Sequence, residues 1–111
     1  MNKRIKLLKD AVIVLASDAT AQLEYLRKLG LPGGIDELAL EYDAIAAAAD
    51  DMLLHGELDK NQYDSVKKLN ALLSRMGGKA NASIWTPNAL SSSDDWMEVR
   101  SLAKESLRSL K

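Results

Sequence analysis

Residues 36–55 read DELALEYDAIAAAADDMLLH, and their spacing settles what class of structure this chain forms. Leu38, Tyr42, Ile45, Ala49 and Met52 recur at intervals of three and four, the period of one face of an α-helix. No residue in the stretch breaks that period before His55-Gly56. The acidic start, Asp36-Glu37, suits the positive end of a helix dipole. The rest of the wheel carries a second pattern. Asp36, Asp43 and Asp50 align seven residues apart, next to a row of Leu40, Ala47 and Leu54, with Glu37 and Asp51 beyond. That is an apolar strip flanked by carboxylates on the side away from the core stripe. Two readings fit it. In one, the helix is central and another part of the chain covers the strip. In the other, the strip is the apolar centre of a partner surface with an acidic rim.

The same periodicity extends to either side. Ile5, Leu8, Val12, Leu15, Ala19, Leu23 and Leu26 keep helical phase through Ser17-Asp18, which predicts one continuous helix over residues 3–29, stopped by Gly30 and a turn at Pro32-Gly33-Gly34. Asp59 followed by Gln62 has the spacing of a capping box and predicts a helix from there to Met76, with Tyr63, Val66, Leu69, Leu73 and Met76 inward and Gly77-Gly78 ending it. Thr86-Pro87 predicts a short helical turn near residues 87–90. Ser92 or Ser93 then caps a last helix to Leu110, with Trp96, Val99, Ala103, Leu107 and Leu110 on its apolar face. Phe is absent and Ala and Leu dominate, a composition that favours helix over strand. The expected fold is therefore all-α: one domain over residues 1–111, a small antiparallel bundle of four main helices with a short extra turn.

Charge is segregated. The net charge is only -1, yet no Lys or Arg lies between Lys28 and Lys60, where eight of the sixteen acidic residues fall. A carboxylate-rich face on a nearly neutral protein points to a cationic partner, and its plainer reading is a solvated helix face. With no cysteine, disulfide frameworks and thiolate metal sites are excluded. The basic start (Lys3, Arg4, Lys6, Lys9) ahead of the apolar residues 11–16 imitates a signal peptide, but Lys9-Asp10 interrupts it and the helical pattern continues, so a leader is not expected. No apolar run reaches membrane-spanning length. Asp36, Asp43 and Asp50 sit two helical turns apart, too far for one metal ion. His55 can face Asp51 at i, i+4, but a histidine interacting with a helix C-terminus explains it better than a metal site. No nucleophile with a base, and no phosphate-binding glycine loop, is present. The expectation is a binding protein, not an enzyme, without metal or cofactor and without direct nucleic-acid or membrane contact. Trp85 either plugs one end of the bundle or anchors a partner.

Three segments carry a resemblance: residues 36–43, Ile84-Trp85-Thr86-Pro87-Asn88-Ala89-Leu90, and Trp96-x-x-Val99-Arg100-x-Leu102-Ala103. Over residues 35–107 the chain resembles small all-helical bacterial proteins that include immunity proteins of contact-dependent and other polymorphic toxin systems. The resemblance implies a cytoplasmic antitoxin that binds and blocks a basic nuclease toxin domain; it assigns no contact residues. The expected partner-binding residues, read from the helical wheel, are Asp36, Glu37, Leu40, Asp43, Ala47, Asp50, Asp51 and Leu54. The alternative is a helical adaptor, homodimeric through Leu40 and Leu54.

Overall fold

A computed structural model describes residues 3–31, 34–77 and 79–110. The chain is all-helical, and no strand occurs among the described residues. In order, the helices are α1 (Lys3–Ala16), α2 (Ala19–Lys28), α3 (Asp36–Ala46), α4 (Ala49–Leu54), α5 (Lys60–Arg75), α6 (Pro87–Ser92) and α7 (Asp94–Leu110), with a 3₁₀ segment, Lys79–Ile84, between α5 and α6. α7 packs against α1, α5 and α6; α3 packs against α1 and α5, so the four longer elements close a ring of contacts. The buried apolar residues form one cluster inside that ring. Among the described residues, no helix is long and apolar enough to cross a membrane.

The expected continuous helix over residues 3–29 is instead two. Asp18 has an extended backbone and its side chain accepts from Ala21 N at 2.8 Å, so it caps α2. Ser17 Oγ donates to Ile13 O at 2.7 Å. Gln22, fully buried, donates Nε2 to the carbonyls of Val14 and Leu15, both at 3.1 Å. Three of the last four carbonyls of α1, those of Ile13, Val14 and Leu15, which a break would leave without helical partners, are thereby satisfied. Arg100 from α7 completes the arrangement, donating to Gln22 Oε1 at 3.0 Å and to Leu90 O at 2.9 Å.

The helix expected over residues 36–55 is also interrupted, at Ala47-Ala48. There the Ala48 N–H bonds to Ile45 O at 3.1 Å, a tightened 3₁₀-type turn, and neither cap has a side-chain bond. Alanine is the best helix former, so local preference does not cause this break. Packing does: α4 lies on α5, and Asp50 and Asp51 reach partners on α5 and α1.

Other boundaries follow local chemistry. Gly30 (φ 78) and Gly56 (φ 74) take the left-handed conformation that ends α2 and α4. Asp59 accepts from Gln62 N, and the Asp59 N–H donates to Gln62 Oε1, both at 2.8 Å, a complete capping box for α5. Thr86 caps α6 through Ala89 N, and Ser93 Oγ accepts from Trp96 N at the start of α7. Of the turn placed at Pro32-Gly33-Gly34, the first two residues lie outside the described residues, as does Gly78 of the Gly77-Gly78 stop.

The inward stripes hold with exceptions. Ile45 and Tyr63 are half-buried, as are Ile5, Ala19, Leu23 and Leu107. Tyr63 turns outward because its hydroxyl donates to Asp50 at 2.5 Å and its ring lies under Lys60 and Lys67. Tyr42 is fully buried and donates to Val66 O at 2.8 Å, joining α3 to α5 beneath the site described next.

Candidate functional site

α3 and α5 leave a groove of about 790 Å³ between them. One wall is α3, which contributes Asp36, Ala39, Leu40 and Asp43; the other is α5, with Asn70, Leu73 and Ser74. Gly77, Ala82 and Trp85 close one end. Helical spacing explains the first wall. Positions i, i+3, i+4 and i+7 share a face, so Ala39 and Leu40 lie between two carboxylates about two turns, ~10 Å, apart. Leu40 is 53% exposed, a large apolar side chain left on an open wall. Asp36 and Asp43 make no ion pair or side-chain hydrogen bond among the described residues, and none of the described residues that line the groove is a cation.

Trp85 is held in place. Its Nε1 donates to Met76 O at 2.7 Å, and its ring stands perpendicular to Trp96, with centroids 5.3 Å apart. Trp96 is fully buried and donates to Ile84 O at 2.6 Å. Trp85 is only half-buried, so it both packs on the core and lines the groove.

The eight residues expected to form one partner surface are divided by the break at Ala47-Ala48. Asp36, Leu40 and Asp43 line the groove together. Glu37 is half-buried at the start of α3, and Ala47 is exposed at the break. Asp50 accepts from Tyr63 and lies 4.0 Å from Lys67 Nζ. Asp51 accepts from Arg4 Nη1 at 2.8 Å. Leu54, at the end of α4, is 80% exposed, the most open of the large apolar side chains among the described residues. Of the eight, the α3 residues Asp36, Leu40 and Asp43 are the ones that line this groove, together with residues of α5 and Trp85. Asn70, Ser74 and Trp85 were not part of the sequence-based surface. Asn70 and Ser74 flank the inward stripe of α5, which is the one sign in the sequence that they sit at the edge of a groove.

Two other places combine charge with shape. Asp51, His55 and Glu57 bring three potential metal-ligand atoms within 4.8 Å of one another. Arg4 already bridges the two carboxylates, bonding Asp51 and Glu57, and His55 Nδ1 lies 2.9 Å from the Asp51 carbonyl oxygen. The arrangement is a set of ion pairs tying α1 to the end of α4. A second groove, about 660 Å³, lies on the other side of α3 and is lined by Leu7, Ala11 and Val14 of α1 with Ala44 and Ile45. At its edge Tyr25 donates to Glu41 at 2.5 Å. That bond, then burial, pushes the Tyr25 hydroxyl up to about 12.

Chemically, the α3–α5 groove offers an apolar floor, an aromatic end wall, two acceptor-only carboxylates and two small polar groups. Such a surface suits apolar, donor-rich, cationic matter. Comparison with models of protein families, with curated proteins and with solved structures found no match.

Proposed function

We propose that this protein works by binding a basic protein partner in the α3–α5 groove. The observation that carries the reading is the meeting of Leu40, Asp36 and Asp43, exposed and without partners among the described residues, on one wall of an apolar groove. The ring of helix contacts reads as an antiparallel bundle of four main helices, α1, α3, α5 and α7, a rigid frame for that groove.

The resemblance to immunity proteins supplies the biological form: a cytoplasmic bacterial antitoxin that neutralises a nuclease toxin. A nuclease presents Lys and Arg to phosphates, and a carboxylate-lined groove competes for the same cations. Complementary charge speeds encounter, and the buried apolar contact slows release. The protein acts by occupancy rather than catalysis, and its acidic face disfavours direct contact with nucleic acid.

The test is capture of partners from the native organism on immobilised wild-type protein and on an Asp36→Lys/Asp43→Lys variant. The captured protein is then expressed with and without this chain. The reading requires a basic protein retained by the wild type alone, whose toxicity this chain relieves. Equal capture on both baits, or a captured protein that does no harm, contradicts it. A second reading, an adaptor that dimerises, is favoured by Leu54 at 80% exposure. It predicts a dimer in sedimentation that Leu54→Ala dissociates.

A further inference from the structure

We infer that the occupant of the α3–α5 groove is an amphipathic helix with arginines at positions i and i+7 and leucine-like residues between them at i+3 and i+4. The inference rests on the protein-binding reading and names the chemistry of the partner.

The spacing comes from the wall. Asp36 and Asp43 stand two helical turns apart, so two cations on one face of an apposed helix match them only at a similar separation, ~10 Å. Leu40 and Ala39 lie between the two carboxylates, opposite the i+3 and i+4 positions of such a helix. The facing wall adds Leu73 to the apolar floor, with Asn70 and Ser74 beside it.

The choice of arginine over lysine comes from Trp85. Its N–H is spent on Met76 O, so a ligand meets only carbon and the ring's π surface. The perpendicular stack on Trp96 holds that surface in one orientation before anything binds. A planar guanidinium can lie on an indole and keep its edge N–H groups for a carboxylate. An ammonium, more strongly hydrated and without a flat face, gains less there. Among the described lining residues, an anionic or acceptor-rich ligand would find side-chain donors only on Asn70 and Ser74 and would face two carboxylates.

The experiment uses the full chain and a synthetic helical peptide of about 16 residues with the Arg-x-x-Leu-Leu-x-x-Arg pattern. Three sister peptides replace both arginines with lysine, citrulline or glutamate. Binding is followed by calorimetry and by the two indole N–H resonances, since the chain has only Trp85 and Trp96. The expected result is saturable binding of the arginine peptide that weakens with salt, with shifts at Trp85, Leu40, Asn70 and Ser74. The lysine peptide binds less tightly, and the citrulline and glutamate peptides do not bind measurably. Asp36→Asn and Asp43→Asn each weaken the arginine peptide roughly fivefold. Trp85→Leu weakens it about tenfold, while Trp85→Phe, which keeps a ring against Trp96, recovers part of the loss.

Absence of binding, equal binding of the citrulline peptide, or shifts confined to α1 and α7 overturns the inference. Its failure is separable from that of the wider reading. A natural partner whose capture depends on Asp36 and Asp43 but which tolerates Trp85→Leu and has no arginine at the contact defeats the arginine helix alone. A partner indifferent to the Asp36→Lys/Asp43→Lys change defeats both.

Discussion

Arg100 shows how much one side chain can hold together. It reaches from α7 to Gln22 on α2 and to the last turn of α6, and through Gln22 it touches the carbonyls that end α1. Burial lowers the guanidinium's pKa, partly offset by Asp18, but arginine stays charged at any ordinary pH. Arg100→Met removes both bonds and leaves Gln22 Oε1 and Leu90 O without that donor, so it should destabilise the fold by ~1–3 kcal/mol. A urea titration reads the change, and Arg100→Lys should recover little, because one ammonium cannot reproduce two bonds from separate guanidinium nitrogens. Tyr25 gives a second test at this scale. Its folded pKa lies above the ordinary tyrosine value, roughly 10. The neutral hydroxyl therefore contributes stability below that pH, and the contribution is lost as pH rises toward about 12. Urea midpoints measured across this range should fall more steeply for the wild type than for Tyr25→Phe. Parallel curves would show that the bond to Glu41 does not form in solution.

At the scale of helices, starts were readable and interruptions were not. Asp59 with Gln62, Thr86 with Pro87, and Ser93 act within one turn of themselves, so their spacing alone located the starts of α5, α6 and α7. Ser17-Asp18 carried the same kind of signal, but unbroken hydrophobic phase from Leu15 to Leu26 concealed it. What makes Asp18 a cap is the partner it gains once the chain turns, together with Gln22 covering α1's carbonyls. Asp18→Ala should then destabilise the protein by about 1 kcal/mol, the usual loss for an N-cap. A change near zero in thermal melting would mean the helix runs through. The Ala47-Ala48 break has no local signal, because packing of α4 on α5 produces it. The site inherits both outcomes. Asp36, Leu40 and Asp43 precede the break, and their common face was legible from spacings of four and seven. Asp50, Asp51 and Leu54 follow it and leave the groove. Trp85, Asn70 and Ser74 join from other elements, a proximity that only the assembled fold creates.

For the molecule as a whole, segregated charge becomes a division of labour. Asp50 and Asp51 are used internally, against Tyr63, Lys67 and Arg4, while Asp36 and Asp43 remain directed at the groove. Charge reversal on the two pairs should therefore differ in kind. Asp50→Lys should change stability and leave partner binding nearly intact. Reversal of Asp43 should leave stability within ~0.5 kcal/mol, as exposed substitutions usually do, while reversal of Asp36, in the first turn of α3, should add a helix-dipole cost of about 1 kcal/mol. Association and dissociation rates of the captured partner, measured on Asp36→Lys/Asp43→Lys, Leu40→Ala and Asp50→Lys proteins whose urea midpoints are determined alongside, separate these roles. The groove reading expects the double reversal to slow association about tenfold or more and to flatten its salt dependence, and Leu40→Ala to speed dissociation without unfolding the chain. Wild-type rates in both variants, or a Leu40→Ala protein that loses several kcal/mol of stability, would place the partner elsewhere and return Leu40 to the core.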